Sequence, residues 1–218
     1  FGSDHVATYP DVLAGLKALG HDVEKVKVLI HQFVTIVQDG EIVKMSTRKA
    51  NYITLDELIA EVGADVVRYF FLMRSNTGHL NFDLNLAKQH SEENPVYYLQ
   101  YAHARIASIL RNAAKEGRSF AAEKAHLEML KSPEEISLAK TLLLLPEVVE
   151  SCAFSFEPHH LAEYLHNVAG LFHRFYHEHK VLGEDVDLSN ARLGLCEASR
   201  IVLKNGLAVF GISAPDEM

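Results

Sequence analysis

The sequence predicts a mostly α-helical protein, in which a short mixed α/β stretch over residues 1–82 leads into an all-helical bundle over 83–218. Three observations carry this. A β-branched, mostly apolar run at 26–37 meets the turn pair Asp39-Gly40 and then Ile42-Val43, the pattern of a hairpin. After Asn81-Phe82-Asp83 the strand signals stop, and apolar-periodic segments with capping residues follow one another. Of the 218 residues, 48% are hydrophobic, which is ample for a buried core.

The elements follow in order. Pro10 in a first turn and Gly20 after the last apolar residue frame a short helix over 10–19. Thr54 and Glu57 have the spacing of a capping box, which starts a helix over 55–62 that Gly63 ends. Asp65 is expected to cap the next, over 66–74. Pro95 marks the first turn of a long helix reaching about Lys115, with Gly117 beyond it. Ser132-Pro133-Glu134-Glu135 combines an N-cap, a proline at the first helical position and a capping-box acid ahead of a helix over 136–145. Pro146 is expected to break or kink the path. Glu157-Pro158 opens a helix to about Lys180, Ser189 opens the last one, and Gly211 closes it. The polar segment 115–131 reads as a loose connection, and no internal repeat is visible.

The formal net charge of -8 argues against a general phosphate-backbone binder, because nonspecific affinity for nucleic acid comes from cations that release counterions. Any RNA binding must then be local, weak and salt-sensitive. Cys152 and Cys196 lie among apolar neighbours on expected helices, which fits free buried thiols in a reducing compartment, with the cytoplasm the simplest home. No apolar run has membrane-spanning length, so no membrane is expected as a partner, and no signal peptide opens the chain. Phe1 stands at the start without a Met, directly before Gly2-Ser3-Asp4-His5, as if just past a strand end; the expectation is a C-terminal fragment.

Lys44-Met45-Ser46-Thr47-Arg48-Lys49 places three cations in six residues with no acid, an inversion of sign that suggests an anionic ligand. A lysine and a hydroxyl on a loop suit a pentavalent α-phosphate and a departing pyrophosphate. Taken alone, the loop reads equally well as a solvated basic surface. The sequence then continues through Val62-Gly63-Ala64-Asp65 and Phe70-Phe71-Leu72-Met73-Arg74-Ser75. Loop and helices together resemble the second signature loop and following region of class I aminoacyl-tRNA synthetases, the arginyl-tRNA synthetase family in particular. The resemblance implies the C-terminal part of a class I synthetase nucleotide-binding α/β domain followed by an all-α, DALR-type anticodon-binding helix bundle. It implies ATP (with Mg2+) and L-arginine as substrates, tRNA(Arg) as partner, no tightly bound cofactor, no protein-held metal, and a monomer.

By that resemblance Lys44, Ser46 and Arg48 are catalytic, and Lys44, Met45, Ser46 and His5 meet ATP. Thr47 stands where the family's second lysine is usual, so Arg48, Lys49 or a lysine elsewhere must supply that charge. Ala50 replaces a usual glycine. Asp4 is assigned to the guanidinium of arginine, since a carboxylate can take it bidentately, with Gln32 as a second pocket residue. A plain helix N-cap at Asp4 and a surface histidine at His5 are equally open readings. The family's first signature, His-Ile-Gly-His or a variant, is absent, so the chain alone is expected not to aminoacylate.

In the helical part Leu99, Ala102, Ile106, Ile109 and Ala113 make one buried stripe, flanked by Tyr97, Tyr98, Tyr101 and Arg105. Aromatics beside a cation form a stacking surface for unpaired bases, although tyrosines at a core margin are more often packing. The run Asn94-Pro95-Val96-Tyr97-Tyr98-Leu99-Gln100-Tyr101-Ala102-His103-Ala104-Arg105 is similar to the start of the arginyl anticodon-binding domain. Phe172-His173-Arg174-Phe175-Tyr176 and the ending Gly211-Ile212-Ser213-Ala214-Pro215-Asp216-Glu217-Met218 resemble its anticodon-side helix and its terminus. Tyr98, Tyr101, Arg105, Tyr176 and Met218 are therefore the anticodon candidates. Six of the 13 histidines fall between His159 and His179, but without metal-ligand spacing they read as helix surface or packing. The rivals are a free-standing tRNA- or protein-binding helical module and another class I synthetase such as the cysteinyl enzyme.

Overall fold

The structure is a computed structural model and describes residues 1–43 and 53–218. A small sheet carries the first of two hydrophobic cores. Strand β1 (Val34–Gln38) pairs antiparallel with β2 (Glu41–Ile42) and parallel with β3 (Leu80–Asp83), placing Val37 opposite Ile42 and Ile36 opposite Phe82. Asp39 (φ 53°) and Gly40 (φ 78°) supply the two positive φ values that a two-residue hairpin turn needs to match strand twist. The strand expected over 26–37 is thus confined to its last third. Before it, a 3-10 turn (Val23–Lys25) is capped by Asp22, and the backbone at 29–31 bonds in parallel to the first three residues, His31 N to Phe1 O (2.8 Å) and Ser3 N to His31 O (2.9 Å). The physical reason is burial: β-branched residues favour strands when they meet a half-buried sheet face, and Val26, Leu29 and Phe33 are exposed.

Helix α1 (Tyr9–Ala18) has Pro10 in its first turn and Gly20 (φ 86°) just beyond its end. Helix α2 (Leu55–Val62) begins with the expected capping box: Thr54 Oγ1 accepts from Glu57 N at 3.2 Å, and the Glu57 carboxylate accepts from Thr54 N at 2.8 Å. That backbone hydrogen bond, with a second from the Thr54 hydroxyl, holds the Glu57 carboxyl below its usual value. Gly63 (φ 88°) ends α2 and directly starts α3 (Ala64–Leu72). Asp65 therefore does not cap α3; it lies inside the first turn, and its carboxylate accepts from Ser213. Helix α3 is two-sided. Val67 and Phe70 pack into the small core with Ile36, Leu58, Phe82, Leu84 and Ala87, whereas Tyr69 enters the large helical core and meets Phe210 edge-on.

Asp83 caps the short α4 (Leu84–Ala87), and Asn94 links it to α5 (Pro95–Lys115): its Nδ2 donates to Ala87 O and Gln89 O, and its Oδ1 accepts from Val96 N. Leu99, Ala102, Ile106 and Ala113 are fully buried on α5, with Ile109 half-buried, as the helical period requires. The connection after Gly117 is not loose. Two 3-10 turns (Ala122–Lys124 and Leu127–Met129) follow, and the Asn190 amide bonds both the N–H and the C=O of Ala121.

Helices α6 (Pro133–Leu142), α7 (Leu145–Ser155), α8 (His159–Glu178) and α9 (Val186–Val209) complete the bundle. Pro146 does not kink a helix but sits in the first turn of α7, where its missing N–H costs nothing. The opener of α9 is Asp185, accepting from Asp187 N and Leu188 N; Ser189 lies a turn inside, buried, its hydroxyl donating to Asp185 O. Leu161, Leu165, Val168, Phe172 and Phe175 of α8 interlock with Leu193, Cys196, Leu203 and Leu207 of α9, and Gly206 brings the two helices together where any Cβ would press into Leu165.

One charged pair lies within this apolar bundle. Glu135, 1% exposed, takes Arg192 Nε at 2.8 Å and the backbone N–H groups of Lys131 and Ser132 at 3.0 Å each. Burial alone would raise the carboxyl's pKa, but these hydrogen bonds outweigh it and hold the pKa below the usual value. Removing Glu135 would take from Arg192 its charged partner, leaving it Lys180 O, and would strand two backbone donors. Glu135→Ala is expected to cost about 3–5 kcal/mol of stability, read from urea or thermal unfolding. A lowered folded pKa means that the contribution is complete above the unfolded value and is lost as pH falls through the folded one. Thermal stability should therefore drop below about pH 4.5, and less steeply in Glu135→Gln.

Candidate nucleic-acid interface

A polar recess lies where α5, α8 and the last residues of the chain meet. On α5, Tyr101, Arg105, Ser108 and Asn112 recur at helical spacing and form a stripe beside the buried one. Tyr176, in the last turn of α8, faces that stripe. Asp216, Glu217 and Met218 line the far wall of this open recess, whose volume is about 520 Å3. Tyr176 also borders two neighbouring recesses, one with Asn112, His177 and Lys180, the other with Glu92, Tyr98, Arg105 and His173.

Arg105 is the centre of the site. Its guanidinium donates to Tyr101 Oη at 2.9 Å, and its Cζ lies 4.9 Å from the Tyr176 ring centre and 5.7 Å from that of Tyr101. Both rings therefore offer their negative faces to one cation, an arrangement worth about 0.5–2 kcal/mol depending on desolvation. A guanidinium has five N–H donors, so after Tyr101 several remain for acceptors on an incoming base. Arg111, at the outer edge, is already engaged: it donates to Asp216 O at 2.9 Å and pairs with Glu217 at 3.3 Å.

Tyr97 stacks on Tyr101 with an interplanar angle of 7°. Tyr98 sits between two imidazoles, with ring centres 4.8 Å from His166 and 5.1 Å from His173. This is a packing role as much as a surface one, and burial, with Glu92 nearby, raises the Tyr98 pKa. Tyr101, Arg105, Tyr176 and Met218 thus share one recess, with Tyr98 in the adjoining one. No group of histidine, cysteine or carboxylate side chains with metal-binding geometry occurs among the described residues.

The other candidates lie elsewhere. Asp4 and His5 occupy a 3-10 turn (Ser3–His5) just past the backbone ladder to His31; Asp4 caps no helix and faces His5 Nε2 at 3.7 Å, both exposed. Gln32, half-buried, is the next residue along that ladder, and its N–H donates to Asn76 O. Lys44, Met45, Ser46 and Arg48 fall outside the described residues, as do Thr47, Lys49 and Ala50; the flanking Val43 and Ile53 both pack on the small core. Sequence reasoning passed over Asn112, Arg111 and the tail-binding residues Gln100 and His103. Extending the Tyr101–Arg105 stripe by the helical period would have found Asn112.

Two aromatic faces, a guanidinium with free donors and an apolar side chain at the rim give this recess the chemistry that suits an unpaired base. A family model described as the DALR anticodon binding domain matches residues 99–218, and the chain belongs to that family. An arginine–tRNA ligase of Desulfotalea psychrophila is 51% identical over the whole chain, which spans 40% of that relative; one of Salinibacter ruber is 53% identical, with 39% spanned. The chain spans about two fifths of the length of these curated relatives. The Thermus thermophilus arginyl-tRNA synthetase structure superposes on 95% of the chain, and 38% of its own, with TM-score 0.77 and 25% identity. A Campylobacter jejuni structure provisionally described as an arginyl-tRNA synthetase covers all of this chain and 47% of its own with TM-score 0.85 and 29% identity.

His173 carries a pH signature. Burial depresses its pKa, Glu92 opposes that effect and Arg105 adds to it, while burial alone depresses His166. Below the unfolded value of about 6.5 the unfolded chain binds more protons, so the stability from these neutral histidines is complete above that value and is lost as pH falls through the folded one. Melting temperature should rise with pH just below about 6.5, and His173→Phe should flatten that rise.

Proposed function

We propose that this chain is the C-terminal part of an arginine–tRNA ligase, which activates arginine with ATP and transfers it to tRNA(Arg). In this reading the helical bundle recognises the anticodon and the Lys44 loop stabilises the activation transition state. The observation that carries the reading is the convergence of Tyr101, Arg105, Tyr176 and Met218 on one recess, in a chain about half identical to arginine–tRNA ligases over its whole length. An unpaired base entering there stacks on tyrosine faces, meets the free donors of Arg105 and displaces water beneath Met218. The stacking term is worth about 1–3 kcal/mol per base and tolerates any base, so discrimination falls to the guanidinium and the recess walls.

Arginine and ATP belong to the other end of the chain. Asp4 and Gln32, on adjoining backbone segments near the edge of the small sheet, would hold the substrate guanidinium, with His5 near the nucleotide. Lys44, Met45, Ser46 and Arg48 would meet the phosphates of ATP with its Mg2+. A monomer working in the cytoplasm completes the reading; both cysteines are free, and no helix among the described residues is long and apolar enough to cross a membrane.

The test is a filter-binding titration of the chain with tRNA(Arg) and with a tRNA of unrelated anticodon. The expected outcome is preferential retention of tRNA(Arg), with Tyr176→Ala weakening it by about 5–150-fold, the equivalent of one lost stacking contact. Equal retention of the two RNAs would end the anticodon reading.

A further inference from the structure

We infer that Asp65 is a positioning residue for RNA recognition: from the first turn of α3 its carboxylate sets the course of the C-terminal tail, and through the tail it completes the Tyr101–Arg105–Tyr176 recess. The inference rests on the tRNA reading above and assigns part of that site's geometry to a residue outside the recess.

The tail leaves α9 at Gly211, whose positive φ (66°) turns the chain and whose carbonyl accepts from Arg68 of α3. Two residues later, Asp65 Oδ2 accepts from the Ser213 hydroxyl, from Ser213 N at 3.1 Å and from Gln100 Nε2 at 3.1 Å. The same Gln100 amide donates to Ser213 O at 3.0 Å. One carboxylate oxygen thus gathers three donors from two other segments. Beyond this node the tail follows α5. The fully buried His103 donates through Nδ1 to Pro215 O at 2.9 Å, since a carbonyl can only accept, and Arg111 then takes Asp216 O and the Glu217 carboxylate.

Length makes the anchor matter. Gln100 and Arg111 are separated by about 16 Å along the helix axis at 1.5 Å per residue. The four steps from Ser213 to Glu217 reach only about 14 Å when extended, the remainder being side-chain length. The tail has little slack, so displacing Ser213 displaces Met218. Buried Ile212 fixes the chain before the node; Asp65 and Gln100 hold Ser213 itself and so set the entry to the His103 and Arg111 contacts beyond.

The experiment is a fluorescence-anisotropy titration of the chain with an anticodon stem-loop of tRNA(Arg), comparing the unaltered protein, Asp65→Ala, Asp65→Asn, Gln100→Ala, a chain lacking 216–218, and Asp65→Ala within that shortened chain. Asp65→Ala is expected to weaken binding roughly tenfold, as for loss of hydrogen bonds to a charged group, and Asp65→Asn, which keeps an acceptor, to recover part of it. In the shortened chain Asp65→Ala should have no further effect. Unchanged binding by both Asp65→Ala and Gln100→Ala, or an equal loss in full and shortened chains, would overturn the inference. An RNA-free arm uses 13C-methyl methionine NMR: in Asp65→Ala the Met218 methyl should move towards its position in the urea-unfolded chain while Met73 and Met129 stay. A stationary Met218 overturns the tail linkage, whether or not RNA binds. If Met218 moves but the unaltered chain binds no stem-loop, the tRNA reading fails, and with it the role of Asp65 in recognition.

Discussion

Helix α3 is the constraint on which the rest depends, because it is a wall of both hydrophobic cores. Phe70 and Val67 are buried among the sheet residues, and Tyr69, 2% exposed, is buried among the helices. Each such side chain returned to water costs about 1.5–3 kcal/mol, so α3 cannot shift without opening one core or the other. The sheet and the helical bundle are thereby held in one frame by nine residues. Burial pushes the Tyr69 phenol well above its usual pKa, and its hydroxyl still finds Ala162 O, so even the polar tip of the wedge is satisfied on the bundle side.

Under the proposed reading, the recess is the answer of an acidic chain to an anionic partner. With a net charge of -8, the protein cannot rely on broad attraction to phosphates. Arg105 is instead placed between two aromatic rings, which favour its charge, and it forms no ion pair among the described residues, while Arg111 is bound by the tail. One cation is kept for the ligand and the other for the architecture. Shape and stacking then dominate, as they do wherever proteins read unpaired bases. Glu135 and Arg192 show the opposite use of charge: paired with each other and with the backbone of Lys131, Ser132 and Lys180, they tie α6 to α9.

Much of this was legible in the sequence, because it depended on short-range rules. Thr54 and Glu57 bond reciprocally as their spacing implies, Pro95 opens α5, and the stripe from Leu99 to Ala113 is buried on its expected face. The family was readable for the same reason, as motif order survives without coordinates. The readings that failed were those decided by partners distant in sequence. The 26–37 run has strand propensity throughout, yet only residues 34–38 form a strand, 34–37 against β3 and 37–38 against β2. Asp65 has a capping residue's chemistry, but Ser213, 148 positions away, claims its carboxylate. Ser189 is a good N-cap by type, yet Asp185 caps the helix first and draws the serine inside.

The contest for Asp65 is instructive because the local alternative was available and lost. A capping aspartate contributes about 1 kcal/mol by satisfying one or two N–H groups. At its actual position Asp65 still stands in the first turn, where the helix dipole favours a negative charge, and its oxygen gathers three donors besides. Gly63 takes over the junction at no loss, since its φ of 88° is open only to glycine-like backbones and lets α2 end and α3 begin without an intervening cap. The glycine thus frees the carboxylate, the carboxylate holds the tail, and the tail walls the recess. By linkage, any coupling between the recess and the seating of α3 acts equally in both directions: a ligand that binds better when the tail is held stabilises the Asp65 node by the same free energy that the node adds to binding.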